Sequence, residues 1–128
     1  MTPIENSVSE QVIGAAIEVH RTLGGPGLIE RVYEEALAFE LERAGLDVGR
    51  QIRVPIVYKG REIGEPLRMD LVVNEMVLVE CKAVSVHNPL FEAQVLTYLR
   101  LTGIKVGLVV NFGMGTIREG LHRVVNNL

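Results

Sequence analysis

Apolar residues Val8, Val12, Ala15, Val19 and Leu23 recur at helical spacing, with Gln11, Glu18 and Arg21 on the other side. That pattern predicts an amphipathic first helix. The run Leu23-Gly24-Gly25-Pro26-Gly27 ends it, because glycine and proline interrupt helices. A second helix is expected over residues 30–44, with the stripe Tyr33, Ala36, Leu37 and Leu41 and Gly45 as its C-terminal cap. From Arg50 the period changes to two. Ile52, Val54, Ile56 and Tyr58 alternate with Gln51, Arg53 and Pro55, which predicts a strand with one buried face. Pro55 has no amide to donate and marks an edge strand or a bulge. After a turn at Lys59-Gly60, Leu67, Met69, Leu71 and Val73 alternate with Arg68, Asp70 and Val72, and then Val77, Val79, Cys81 and Ala83 with Leu78, Glu80 and Lys82. Asn88 as cap and Pro89 at the first position open a third helix that runs from Leu90 to the stop at Gly103. A buried strand is expected over residues 106–112. The tail from Thr116 fits a helix through Ile117, Leu121, Val124 and Val125, and its Arg123-Val124-Val125 also fits a short strand. The fold class is therefore α/β, a mixed sheet flanked by helices in the order ααβββαβ plus a C-terminal tail.

Hydrophobic matching sets the register of the second and third strands, because paired residues share a face. A two-residue turn at Asn74-Glu75 would set Asp70 against Val79, mixing polar and apolar faces. A three-residue loop over residues 74–76 pairs Val73 with Val77, Leu71 with Val79 and Met69 with Cys81, all apolar. The same register sets Asp70 opposite Glu80 and Arg68 opposite Lys82 on the other face. Two carboxylates at cross-strand distance repel unless a cation or a shared proton relieves them. A hard divalent ion suits oxygen donors, and magnesium commonly takes one or two carboxylates plus water and substrate phosphate. A lysine two residues along the strand would then orient or deprotonate a water, or bind phosphate. The plainer alternative is a solvated, salt-bridged hairpin face.

Length and charge narrow the choice of partners. The 128 residues fit a single domain, residues 1–128. No apolar run approaches the roughly 20 residues of a membrane span, and no secretory signal is visible at the start. One cysteine forms no internal disulfide, which suits a reducing, cytoplasmic setting. The net charge of −3 argues mildly against tight non-specific DNA binding, since phosphate neutralisation usually needs a basic surplus. Acidic metal ligands, however, lower the charge of a nuclease that a bound cation then restores locally.

Asp70, then Glu80-Cys81-Lys82, then Gln94 and Tyr98 on the following helix resembles the PD-(D/E)XK nuclease superfamily with its QxxxY helix. Gly27-Leu28-Ile29-Glu30-Arg31-Val32-Tyr33 resembles the signature of its GxxExxY branch. Val19-His20-Arg21, the Glu80 strand, and residues 107–113 with Asn111-Phe112 extend the likeness over nearly the whole chain. Met69 stands where the superfamily's name has proline. The resemblance implies a restriction-endonuclease-like fold, a Mg2+-dependent nuclease with Mn2+ as substitute, and nucleic acid, DNA before RNA, as partner. It implies Asp70 and Glu80 as metal ligands, Lys82 as the catalytic lysine, Glu30 as an acidic residue from the second helix, and Gln94 and Tyr98 reaching the site from one helical face. Arg68 and His20 are the candidate substrate-binding side chains.

Each has a plainer reading. Glu30 favours a helix N-terminus through the macrodipole, Tyr98 is an ordinary partly buried aromatic, Gln94 a surface residue, and His20 a boundary histidine after Ile13 and Ile17. Cys81 points to the core and reads as packing. Neither a zinc site built on one cysteine and three scattered histidines, nor a P-loop, nor a dinucleotide fingerprint fits the spacing. The rival to an enzyme is a nuclease-fold binding or accessory module without useful turnover. A homodimer would let so small a chain address both strands of a duplex.

Overall fold

The computed structural model describes residues 3–128. Helices α1 (Ile4–Thr22) and α2 (Glu30–Arg43) pack on one face of a sheet. In α1 the buried stripe is Val8, Val12, Ala16 and Val19, spaced four, four and three, so Ala15 flanks the stripe and Leu23 lies exposed beyond the helix. Both differ from the sequence expectation, which let the stripe drift past its closing turn. Helix α2 closes as expected: Gly45 takes φ +88°, and the Leu46 N–H reaches back to Leu41 O at 3.1 Å.

The sheet begins with β1 (Val48–Val54). Pro55 ends this strand, which overturns its expected extension to Tyr58. The next residues instead form a small exposed hairpin, β2 (Val57–Tyr58) with β3 (Arg61–Glu62). Then come β4 (Leu67–Val73), β5 (Val77–Lys82), α3 (Leu90–Thr102), β6 (Val106–Asn111), the short helix α4 (Ile117–Gly120) and β7 (Leu121–Val125). The ambiguous tail is thus a helical turn followed by a strand. The main sheet runs β1-β4-β5-β6-β7, with β5 and β6 parallel and the other pairs antiparallel. Edge strand β1 agrees with Pro55. Helix α3 makes the crossover that a parallel pair requires, opened by Asn88 Oδ1 accepting the Leu90 N–H at 2.9 Å and closed by Gly103 at φ +78°.

Two apolar layers sandwich the sheet. Leu71, Val73, Val77, Val79, Leu108 and Val110 meet α1 and α2, while Leu78 and Val109 meet Val95, Tyr98 and Leu99 of α3. Gly107 lets α3 sit this close, because a Cβ there would lie 2.4 Å from Val95 Cγ1.

The β4–β5 hairpin has the expected three-residue loop, with Asn74 and Glu75 both at positive φ, and the expected pairs Leu71–Val79 and Val73–Val77. The ladder then stops. β4 stays with β1 as far as Leu67, whereas β5 follows β6 as far as Lys82. The two strands diverge beyond Leu71 and Val79. The expected Met69–Cys81 pair is therefore not formed: Met69 packs in the α3 layer and Cys81 in the α1–α2 layer.

Candidate active site

Where β4 and β5 part, backbone amides lose their ladder partners, and buried amides demand replacements. Two side chains supply them. The Asp70 N–H donates to Glu80 Oε1 at 3.0 Å, and the Cys81 N–H donates to Asp70 Oδ2 at 2.9 Å. Glu80 is buried and Asp70 half-buried. Burial, reinforced by the Asp70 charge, pushes the Glu80 carboxyl up to about 8. Burial likewise raises Asp70, and nearby Glu34 adds to it. Two touching carboxyls raised in this way favour a shared proton or a cation. Their remaining oxygens form an all-oxygen donor set suited to a hard ion. Among the described residues, no third acidic or histidine ligand atom joins both within 4.8 Å.

Helix α2 contributes Glu30, and the loop before it explains how. Gly27 takes φ +124°, a region open to glycine. The buried Tyr33 hydroxyl donates to Gly25 O at 2.7 Å and accepts the Leu28 N–H at 3.2 Å, while its ring stacks on Phe112 with centroids 4.6 Å apart. In the Gly27, Glu30, Tyr33 spacing, the tyrosine braces the loop and Glu30 starts the helix it presents. Burial raises the Glu30 carboxyl, against the opposing charge of Lys82.

Glu34 was not foreseen. It is buried one helical turn after Glu30, accepts from Arg50 Nη2 at 3.1 Å and from Gln51 Nε2 at 2.8 Å, and shares a hollow of about 690 Å³ with Glu30, Arg68 and Asp70. Its signal was the four-residue spacing from Glu30 on one helix face. Gln51 stands opposite Asp70 at φ +51° in the middle of β1, without a change of register, and its amide lies 3.4 Å from Asp70 Oδ1. A left-handed residue inside a strand is strained, and this one sits beside the carboxylates.

From the other side, Lys82 Nζ lies 4.7 Å from the centroid of the Phe91 ring, in a hollow lined also by Asn88 and Gln94. Its charge opposes the rise of Glu30, Asp70 and Glu80, so it belongs to their electrostatic neighbourhood. Tyr98 donates to Arg68 O at 3.3 Å and accepts from Gln94 Nε2 at 3.1 Å, tying α3 to β4 next to Asp70. Burial, then the Glu80 and Asp70 charges, raises the Tyr98 phenol. Glu30 and Asp70 thus line the α2-side hollow and Lys82 and Gln94 the α3-side one, with Glu80 bonded to the Asp70 N–H and Tyr98 to Arg68 O. The expected Arg68–Lys82 cross-strand pair is absent: the ladder has already ended, and the exposed Arg68 lines the α2-side hollow while Lys82 lines the α3-side one.

His20 is placed elsewhere. It is buried, its Nε2 lies 3.1 Å from Met114 O, and it lines a different hollow with Gly25, Pro26 and Thr116. It fastens α1 to the turn after β6. The Asn111-Phe112 segment is also structural: Asn111 Oδ1 accepts from Val84 and Gly113 N–H, and its Nδ2 donates to Val84 O, all within 3.0 Å. Cys81 is fully buried, and burial holds its thiol well above the ordinary value. That is packing, as its position in the alternation implied.

A family model described as the PD-(D/E)XK nuclease superfamily matches residues 6–124. The chain belongs to that superfamily, and its five-stranded mixed sheet flanked by helices is the restriction-endonuclease-like fold. No curated protein and no solved structure matches it. No described helix is long and apolar enough to cross a membrane.

Proposed function

We propose that the chain is a metal-dependent nuclease of the GxxExxY branch, hydrolysing phosphodiester bonds of nucleic acid, DNA before RNA. The observation that carries the reading is the interlock of Asp70 and Glu80 at the point where their strands diverge. Asp70 and Glu80 would hold Mg2+, or Mn2+ in its place. When bound, such an ion polarises a phosphoryl oxygen and lowers the pKa of a water. Lys82, two residues along the strand from Glu80, orients the attacking water or accepts its proton. Arg68, at the rim, offsets phosphate charge. Glu30 and Glu34 line the approach from α2, and Tyr98 with Gln94 fixes α3 against β4. His20 has no part in this scheme. Residues 1–128 act as one domain, and a homodimer would address both strands of a duplex in the cytoplasm.

The net charge of −3 and the crowding of Glu30, Glu34, Asp70 and Glu80 favour a second reading, a binding or accessory module. The test is cleavage of single-stranded DNA, duplex DNA and RNA with Mg2+ or Mn2+, beside chelator and Lys82→Ala controls. Metal-dependent cleavage that both controls abolish supports the enzyme. Binding without cleavage by the wild type supports the module.

A further inference from the structure

His87, Glu92 and His122 converge where the loop leaving β5, the first turn of α3 and strand β7 meet. One ligand atom from each lies within 4.8 Å of the other two. His87 Nε2 and Glu92 Oε1 are 2.7 Å apart, and the His87 and His122 rings stack with centroids 3.7 Å apart and planes 19° from parallel. Among the described residues, His87 Nδ1 and His122 Nε2 are buried nitrogens without a hydrogen-bond partner.

We propose that this cluster binds a divalent transition-metal ion of the zinc class, at a site separate from Asp70 and Glu80 and one that the scattered spacing of the histidines along the sequence spoke against. Two imidazoles and a carboxylate are a donor set for zinc, cobalt or nickel, whereas magnesium prefers oxygen alone. A simple His87–Glu92 ion pair leaves both buried nitrogens unserved. Protonating both stacked rings would set two like charges face to face. An ion takes one nitrogen from each neutral ring together with the carboxylate, so it can serve His122 Nε2 and one His87 nitrogen while Glu92 stays a ligand. Tetrahedral ligands about 2.0–2.1 Å from zinc lie about 3.4 Å apart, so the widest pair must close by up to about 1.4 Å, His87 Nε2 and Glu92 Oε1 must open from 2.7 Å, and the stacked rings must turn until their in-plane lone pairs converge. All three are partly exposed and have that freedom.

The ion would staple β7 to the start of α3, two elements that are distant in sequence. It would also steady the Phe91 ring, which meets His87 edge-on at 5.9 Å and carries Lys82 Nζ on its face. Metal at the histidines would thereby help position Lys82.

The experiment titrates the full chain, stripped with chelator, with Co2+ and Zn2+, reading the cobalt d–d spectrum and binding calorimetry. One equivalent should bind with a tetrahedral, nitrogen-ligated cobalt spectrum. His87→Ala and His122→Ala should each weaken Zn2+ binding about 100-fold, the upper end of what losing even a supporting group costs. Asp70→Asn, which removes a candidate magnesium ligand, should still bind Zn2+ like wild type. If the alanine variants fold poorly without metal, the isosteric Glu92→Gln takes their place, with at least a tenfold loss expected. Absence of Zn2+ binding by wild type, wild-type affinity in the histidine or Glu92 variants, or loss of binding in Asp70→Asn each overturns the proposal.

Discussion

Asp70 and Glu80 are bound to each other's strands: the main chain of Asp70 donates to the Glu80 carboxylate, and the Asp70 carboxylate accepts from the residue after Glu80. Each therefore has a structural duty as well as a charge. The same two groups complete the backbone bonding of the open hairpin and present their other oxygens to the cleft.

Metal linkage tests that dual role. An ion that binds only the folded chain stabilises it by about 2.7 kcal/mol at 100 times its dissociation constant. Mg2+ should therefore raise the thermal midpoint of the wild type in a titration followed by scanning fluorimetry. Asp70→Asn and Glu80→Gln keep much of the hydrogen bonding and lose the charge, so the rise should vanish in both. An unchanged response in both variants places the ion elsewhere.

The pH dependence follows from the raised carboxyls. Glu80 sits at about 8 in the folded chain against an ordinary 4.5, so between those values the folded state holds a proton that the unfolded state has released. Stability contributed by a raised group is complete below the unfolded value and lost as pH climbs through the folded one. Without divalent metal, urea midpoints should fall as pH rises from about 4.5 to 8, by an amount on the order of a few kcal/mol. Asp70 and Glu30, raised in the same direction, add to the slope. Glu80→Gln should flatten it. Mg2+ should counter it increasingly at higher pH, because the ion needs the ionised carboxylates.

Lys82 separates chemistry from binding. If it orients or deprotonates water, Lys82→Ala should lower the single-turnover cleavage rate about 100-fold or more, while affinity for a short duplex changes only modestly. A collapse of affinity, beside a wild type that never cleaves, instead favours the binding module.

Tyr33 tests the brace behind Glu30. Tyr33→Phe keeps the stack on Phe112 but removes the hydroxyl that serves Gly25 O and Leu28 N–H. Gly25 is half-buried and Leu28 exposed, so losing the two bonds should cost about 1 kcal/mol, read as a lower denaturant midpoint at constant slope. A midpoint equal to wild type would show that the loop is held without the hydroxyl.

Much of the architecture was legible residue by residue. The stripe Tyr33, Leu37 and Leu41, the Gly45 and Gly103 helix stops and the Asn88 cap all depend on neighbours a few positions away, so local pattern suffices to place them. The three-residue loop and the pairs Leu71–Val79 and Val73–Val77 were set by a period of two and a turn length, which are also local. The same register sets Asp70 opposite Glu80 in the sequence, but the ladder ends one pair short of them, and they meet through their side chains instead.

Where the hairpin opens was decided by strands far along the chain. β1 holds β4 and β6 holds β5, and the pull of these separate partners ends the ladder at Leu71 and Val79. Met69 and Cys81 therefore enter different layers, Arg68 and Lys82 line different hollows, and Asp70 and Glu80 turn their carboxylates to the freed amides. Glu34 with Gln51 beside the site, His20 away from it, and His87 stacked on His122 depend equally on contacts 16 or more residues apart in sequence. Periodicity reports which face of its own element a residue occupies. Only the pairing and packing of whole elements determines what that face meets, because those contacts join segments whose spacing carries no local pattern.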